Sequence, residues 1–223
     1  MIKDHTLNVE VISDVMCPWC FIGKRNLEAA IKKINQVQVL VKWLPFQLDR
    51  TLPKTGMDRQ EYFANKFGTQ ERYQQVYGPI IETSKSIGLN LNLDSIKVSP
   101  NTMDAHRLIL WAGGQSNKLQ NKMVERLFQL YFQEGANIGS DDVLIEAAKN
   151  VGMDASIVEK LLKTDQDKEW VKDKVSKAGQ LGIQAVPSFL IDNSFAVSGA
   201  QPTTTLFETL KYVLNQREDS TST

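Results

Sequence analysis

The stretch LNVEVISDVMCPWC, residues 7–20, joins a strand pattern to a pair of cysteines. Apolar and polar side chains alternate from Leu7 onward and become fully apolar by Ile12, as is typical of a strand that enters a sheet interior. Cys17 and Cys20 follow, with two residues between them. The stretch therefore predicts a strand that leads directly into a catalytic, redox-sensing or metal-binding cysteine pair.

The residues after the cysteine pair carry a helical period and then a strand period. A helical apolar face predicts a helix that begins at or just after Cys17, and its positions are Leu27, Ala30, Ile31 and Ile34. Alternate apolar positions then predict a second strand that ends at Pro45: Val37, Val39, Val41 and Trp43. The opening part of the chain therefore reads β-α-β.

The rest of the chain divides into a helical block and a short β-β-α segment. Helical periodicity dominates residues 58–178. Two strand-like runs follow at residues 185–191 and 195–199, and the DNS stretch between them predicts a hairpin turn. A closing helix is expected from about Thr203 to Asn215.

This order of elements is that of a thioredoxin fold with a helical domain inserted in its middle. We therefore predict an α/β chain in which residues 1–57 and 179–216 form the thioredoxin-like domain. A large all-helical domain, residues 58–178, lies between the β-α-β and β-β-α halves. Residues 217–223 are expected to be a polar tail that frays.

Composition narrows the partners and the compartment. The 223 residues include 26 basic and 26 acidic side chains, so no net charge attracts a polyanion, and neither nucleic acid nor a membrane surface is expected as a partner. No apolar run has the length of a signal peptide or a membrane span, so a cytoplasmic location is expected. Structural disulfides are rare in that compartment, and the chain has only two cysteines.

The cysteine pair has a physical logic at a helix start. Cys17 lies near free backbone amides and the positive end of the helix dipole, which favour a thiolate, so it is the expected nucleophile. Pro18 suits the first helical turn. Cys20, one turn further on, is the expected resolving thiol. Trp19 is either a substrate contact or an apolar cover, and it brings no positive charge to stabilise a thiolate.

Other interpretations of these residues stay open. The pair could be half of a zinc site with His5 and His106 as further ligands, or an inert buried pair, although we expect no metal. Asp14 is a turn residue or a proton acceptor. His106 is a hydrogen-bonded structural histidine or a groove contact, and Asn101 is a helix cap or a groove contact.

Motifs along most of the chain resemble one family. The segments that carry the resemblance are SDVMCPWCFIGK (13–24), LPFQL (44–48), NT and AHR (101–102 and 105–107), GI and VPSF (182–183 and 186–189) and VSGAQP (197–202). They are similar to the DsbA-like family, and specifically to its cytoplasmic FrnE-like branch. The resemblance implies a redox-active Cys17–Cys20 disulfide, a cis bond before Pro187 beside the sulfurs, and a Val186 backbone that pairs with an extended substrate. Because Trp19, unlike a histidine between the cysteines, brings no positive charge, we expect a weaker oxidant than the periplasmic relatives of this family.

The same superfamily holds glutathione-dependent enzymes. Kappa-class glutathione transferases and 2-hydroxychromene-2-carboxylate isomerases are similar but carry serine at the position of Cys17. By that similarity Val186, Ala200 and Gln201 are candidate substrate contacts, and glutathione is a candidate co-substrate. Relatives often have glycine before the Val-Pro pair, whereas this chain has Gln184-Ala185, so access to the groove is expected to differ.

The leading prediction for function is thiol–disulfide exchange with a peptide or small-molecule thiol, with no bound cofactor. A glutathione-dependent isomerase or transferase acting on a small aromatic compound is the alternative. A binding or chaperone-like module that keeps the fold without the chemistry is the third hypothesis. The sequence leaves the direction of exchange and homodimer formation open.

Overall fold

The computed structural model describes residues 6–220, with side chains described through Arg217. Its strands are β1 (Thr6–Ser13), β2 (Gln38–Pro45), β3 (Met57–Asp58), β4 (Val98–Ser99), β5 (Ser188–Ile191) and β6 (Phe195–Ser198). Its α-helices are α1 (Pro18–Ile31), α2 (Arg59–Phe67), α3 (Gln70–Ser86), α4 (Met103–Gln115), α5 (Asn117–Phe132), α6 (Asp141–Val151), α7 (Ala155–Leu162), α8 (Lys168–Gln180) and α9 (Thr203–Ser220). Across the described range, no helix is long and apolar enough to cross a membrane.

The central sheet has the strand order β2-β1-β5-β6. β1 is parallel to β2 and antiparallel to β5, and β5 is antiparallel to β6. Val11 lies opposite Trp43 on one side and Phe189 on the other. Because β1 lies between β2 and β5, the turn that follows β1 lies between the ends of these two strands. The predicted thioredoxin-type fold class is confirmed.

The hairpin between β5 and β6 is confirmed. Asp192 and Asn193 in its turn have φ values of 49° and 55°. Tight hairpin turns use this left-handed region because it matches the twist of the two strands. Asn and Asp tolerate it better than bulkier residues do, which is why the sequence signal was readable.

The closing helix is longer than predicted. α9 continues to Ser220, beyond the expected end near Asn215 and into the predicted polar tail. Arg217 explains part of this, because its guanidinium donates to the carbonyl of Thr6 at 2.8 Å and pairs with Asp192 at 2.5 Å. The beginning of the predicted tail is therefore held against β1 and the hairpin.

The inserted block is helical except for a 3-10 turn (Leu93–Ser95) and a two-residue strand pair. In that pair Met57 lies opposite Ser99, and Asp58 lies opposite Val98. The prediction of an all-helical insertion was wrong at this ladder. The two segments that lead into α2 and α4 run side by side there, and short ladders of this kind satisfy backbone groups that a loop would leave unpaired.

The helical block also closes the free edge of the sheet. β2 is an edge strand, and the side chain of Gln120 on α5 bonds its backbone in both directions. The Trp43 amide donates to Gln120 Oε1 at 3.0 Å, and Gln120 Nε2 donates to the Trp43 carbonyl at 3.2 Å. Buried backbone groups at a sheet edge need hydrogen-bond partners, and Gln120 supplies them for the amide and the carbonyl of Trp43.

A buried ion pair ties α1 to α5. The Lys24 side chain is only 2% exposed, and its Nζ lies 2.5 Å from Glu28 and 2.8 Å from Glu125. Arg25 also pairs with Glu125. Breaking such a buried pair leaves an uncompensated charge, so these contacts fix the helical block against the helix that carries the cysteines.

Candidate active site

The turn from β1 into α1 positions the cysteine pair. Cys17 is the N-cap residue of α1 in an extended conformation, and Pro18 is the first helical residue, as the sequence predicted. The Cys17 amide donates to the Asp14 carbonyl at 3.0 Å, and the Cys20 amide donates to the Cys17 carbonyl at 3.0 Å. Cys17 therefore lies at the N-terminal, positive end of the α1 dipole.

Both cysteines are free thiols, and they approach each other to 3.6 Å. Cys17 is 4% exposed and Cys20 is fully buried. Burial raises the pKa of the Cys20 thiol, and the neighbouring Cys17 raises it further, although Ser13 and the Asp14 backbone pull it down. Cys20 therefore keeps its proton, and an exchange step at Cys20 needs a route by which that proton leaves.

The Val186–Pro187 segment lies across the sulfur of Cys17. Its peptide bond is cis, and Cys17 Sγ donates to the Val186 carbonyl at 3.7 Å. Gly23 on α1 permits this approach, because a Cβ there would lie 2.7 Å from Pro187 Cγ. Gly23 was not singled out from the sequence, although a glycine inside a predicted helix was the available signal.

Asp14 and His106 form a buried pair beside the cysteines. Asp14 is 0% exposed and His106 is 3% exposed, and Asp14 Oδ1 lies 3.3 Å from His106 Nε2. The carboxylate also accepts the amide hydrogens of Leu48 at 2.7 Å and Met16 at 3.4 Å. Asp14 is thus both the turn residue and the partner of the histidine, and His106 reaches the active-site turn through Asp14.

A small cavity lies between His106 and Ser13, the last residue of β1. It has a volume of about 10 Å³, and its lining includes Ser13, His106 and Trp43. This volume is close to that of a single water molecule. Ser13 Oγ is buried and has no hydrogen-bond partner within the described chain. Ser13 thus lines the cavity and also lowers the pKa of the Cys20 thiol.

The other predicted contacts lie in two loops and at the motif itself. Trp19 is partly exposed and packs against the core. Asn101 precedes Thr102, the N-cap residue of α4, and its side chain accepts the Met103 amide at 3.0 Å and donates to the Leu52 carbonyl at 2.6 Å. Ala200 and Gln201 are half-buried. Their contact with a substrate stays a prediction.

The Gln201 loop is held by α1. Asn26, on the same helix as the cysteines, donates from Nδ2 to the Gln201 carbonyl at 2.9 Å. The Gln201 side chain donates to the Ser198 carbonyl at 2.8 Å. The side chain of Gln201 is therefore already engaged, and only a rearrangement would free it for a ligand.

A metal would need more ligands than the cysteine pair. Within residues 6–220 there is no cluster of three or more His, Cys, Asp or Glu side chains suited to an ion. His5, the other ligand considered for the zinc hypothesis, lies outside the described residues.

Comparison with known proteins gives a family and a curated relative. The family described as DSBA-like thioredoxin domain matches residues 8–211. The Bacillus subtilis (strain 168) protein described as "Uncharacterized protein YwbO" is 32% identical over 196 residues, which cover 85% of this chain and 88% of YwbO.

Solved structures with the same fold carry different activities. The probable DsbA oxidoreductase SCO1869 from Streptomyces coelicolor is 27% identical, with a TM-score of 0.84 over 94% of this chain and 90% of SCO1869. A 2-hydroxychromene-2-carboxylate isomerase is 13% identical, with a TM-score of 0.74 over 95% of this chain and 98% of the isomerase. The cytosolic disulfide reductase DsbM from Pseudomonas aeruginosa, solved with GSH, is 16% identical. Its TM-score is 0.65, over 93% of this chain and 99% of DsbM. The last two likenesses are likenesses of fold.

Proposed function

Because this chain belongs to the DSBA-like thioredoxin domain family, we propose that it is a thiol–disulfide oxidoreductase that works through Cys17 and Cys20. One observation carries the proposal: two free thiols 3.6 Å apart at a helix start, with the Cys17 sulfur against the Val186 carbonyl. A short approach between two sulfurs allows a disulfide to form with little movement of the backbone.

The chemistry has two steps. The Cys17 thiolate attacks one sulfur of a substrate disulfide, the substrate S–S bond breaks, and one substrate thiolate leaves. Cys20 then attacks the Cys17 sulfur of the mixed disulfide, and the second substrate thiol leaves. The Cys17–Cys20 pair loses two electrons, the substrate gains them, and the Cys20 proton goes to the departing thiolate. The reverse sequence oxidises a substrate dithiol.

The buried groups beside Cys20 support a proton path for the second step. The raised pKa of Cys20 means that its proton must be removed as the thiol attacks. Ser13 lies at Cys20, and the cavity between Ser13 and His106 has room for about one water molecule. We assign Ser13, His106 and Asp14 as positioning residues that hold this path.

The substrate is a peptide or small-molecule disulfide that lies along the Val186 backbone. Glutathione is the proposed co-substrate that recycles the pair, and the cytoplasm is the proposed location. DsbM, a cytosolic disulfide reductase solved with GSH, shares the fold and supports both assignments by analogy. The direction of exchange follows from the reduction potential of the pair against the glutathione pool.

A glutathione-dependent isomerase is the second candidate, because a 2-hydroxychromene-2-carboxylate isomerase aligns over 95% of this chain. The two candidates differ in their need for Cys20. Disulfide exchange requires a resolving thiol, whereas an isomerase that uses bound glutathione needs no second cysteine.

The test uses the two cysteines separately. The chain has no other cysteine, so differential alkylation and intact mass report on this pair alone. Cys17→Ser is expected to abolish exchange, and Cys20→Ala is expected to accumulate a mixed disulfide at Cys17. Full exchange in Cys17→Ser contradicts the proposal. Glutathione-dependent isomerase turnover that survives Cys20→Ala favours the second candidate, and tight peptide binding without redox cycling favours a binding module.

A further inference from the structure

Arg59 is a buried cation at the start of α2. It is 7% exposed, and its backbone amide donates to the Lys97 carbonyl at 2.9 Å. The neighbouring Asp58 carboxylate is engaged elsewhere, because it accepts the amide hydrogens of Gln60 at 2.9 Å and Glu61 at 3.0 Å. These contacts fix the backbone of Arg59, and Asp58 does not pair with its guanidinium, which is buried in the interior.

An aromatic cage, made of Phe63, Tyr77 and Tyr131, surrounds this guanidinium. Arg59 Cζ lies 4.3 Å from the ring centroid of Phe63, 5.9 Å from that of Tyr77 and 5.8 Å from that of Tyr131. Nη1 donates to the Tyr131 hydroxyl at 2.9 Å. Ring faces stabilise a cation, but they do not neutralise its charge.

Within the described residues, the guanidinium of Arg59 forms no ion pair. Of the ion pairs within residues 6–220, none includes Arg59, and its Nη2 is buried with no hydrogen-bond partner. Burial raises the pKa of Tyr77 to about 12, and it raises the pKa of Tyr131 still more. Both phenols are therefore neutral at physiological pH. A buried charge without a partner is costly, which is unusual for a purely structural residue.

The aromatic cage adjoins the cysteine pair. Tyr77 lies on α3, which packs against α1, the helix that begins beside Cys17. A thiolate at Cys17 raises the pKa of Tyr77, and the Asp14 carboxylate raises that of Tyr131. The guanidinium of Arg59 and the sulfur of Cys17 thus both act on Tyr77, which places the aromatic cage on the side of α3 that serves the cysteine helix.

We propose that Nη2 of Arg59 binds a carboxylate on the disulfide substrate while Cys17 attacks its sulfur. The inference rests on the proposed exchange activity and adds a substrate class, namely small disulfides that carry a carboxylate. A planar guanidinium matches a carboxylate in shape, and its single charge matches a monoanion. Binding would supply the counter-charge and the hydrogen-bond partner that the folded chain lacks.

The first test leaves the protein unchanged and varies the probe. Reduced wild-type protein is mixed with dithiodipropionate or dithiodibutyrate, and each acid is compared with its primary diamide, which has the same shape without the charge. At equal ionic strength the better-fitting acid is expected to react with Cys17 about tenfold faster than its diamide, as for a charge-assisted hydrogen bond. Equal rates for acid and diamide at both chain lengths overturn the carboxylate site.

The second test asks whether Arg59 causes the preference. Arg59→Met keeps the length of the side chain and removes the charge, so the acid is expected to lose its advantage while the diamide rate stays within about twofold. Arg59→Lys is expected to keep part of the preference. Lys97→Met is the matched control, because Lys97 is an exposed cation beside the same helix. The ratio of acid to diamide rates in this variant should equal that of the wild type.

The outcomes separate this inference from the proposed function. If the diamides react with wild-type protein and the acids show no advantage, exchange stands and the carboxylate site is wrong. If neither probe reacts, the proposed exchange itself fails. If Arg59→Met slows the acid and the diamide equally, Arg59 acts on the cysteine pair or the fold instead, and the site is overturned. Should Arg59→Met not fold, the wild-type rate ratio decides.

Discussion

Two buried arginines in the helical block have opposite surroundings. Arg107 on α4 is 0% exposed, and its Nη1 donates to Asp104 at 2.7 Å. Its other nitrogens donate to the carbonyls of Leu161, Thr164 and Gln166. Among the described residues, Arg59 donates to the Tyr131 hydroxyl and forms no ion pair. Arg107 is thus matched by a carboxylate and three carbonyls, whereas Nη2 of Arg59 is the buried donor to which we assign a ligand.

Other buried polar side chains also differ in whether they have a partner. Near the cysteines, Ser13 Oγ and Arg59 Nη2 are buried without partners, and Cys20 has a raised pKa. Lys24, one helical turn after Cys20 on α1, is as deeply buried but lies between two glutamates.

The largest expected effect is on Arg107. Arg107→Met leaves buried Asp104 with only the exposed Lys54, at 3.7 Å, and removes the donor to three carbonyls. We therefore expect the free energy of unfolding to fall by about 3–5 kcal/mol. Arg59→Met is the matched control and should cost less than about 1 kcal/mol, because it breaks no ion pair. Urea denaturation of both variants measures the difference. An equal fall in the free energy of unfolding in both variants would mean that the ion pair of Arg107 adds nothing to stability.

The next effect concerns alkaline pH and the aromatic cage. Burial raises the pKa of Tyr77 to about 12 from 10.0, so the folded state favours the neutral phenol. The resulting stability is fully present below pH 10 and is lost as the pH rises to about 12. The loss amounts to about 2–3 kcal/mol. Urea unfolding across this range should show a smaller loss in Tyr77→Phe, and an identical loss would contradict the assignment.

A smaller effect is expected where α1 meets the Val186–Pro187 segment. In Gly23→Ala the new Cβ would lie 2.7 Å from Pro187 Cγ and 3.2 Å from Phe189 Cζ. Relief of that overlap is expected to cost a net of about 1–2 kcal/mol despite better helix propensity, and to slow exchange at Cys17. Gly114→Ala, with no atom within 4 Å, should instead stabilise the chain. Similar melting shifts in the two variants would rule out the steric role of Gly23.

The smallest stability effect is expected at Ser13. Ser13→Ala removes an unpartnered hydroxyl, so the free energy of unfolding should change by less than about 0.5 kcal/mol. The same change should raise the pKa of Cys20 further and slow closure of the Cys17–Cys20 disulfide about threefold at neutral pH. Stopped-flow rates against pH test this, with exposed Ser194→Ala as the control. An unchanged pH profile would remove Ser13 from the proton path.

Local patterns were enough to predict most of the fold and the cysteine pair. The alternation in β1, the period of α1 and the turn residues at Asp192 and Asn193 are short-range signals, because side-chain direction repeats within each element. The two-residue ladder at Met57 and Ser99 was missed. It joins segments far apart in the chain and has no periodicity of its own.

The sequence by itself determined the order of elements, the helix start at Cys17 and the residue types for thiol exchange. Tertiary structure alone decided that Asp14 meets His106, that Gly23 makes room for Pro187, and that Arg59 is buried in an aromatic cage with no carboxylate. These relations depend on packing between distant segments. A charge is recognised as unpaired only once everything around it is in place.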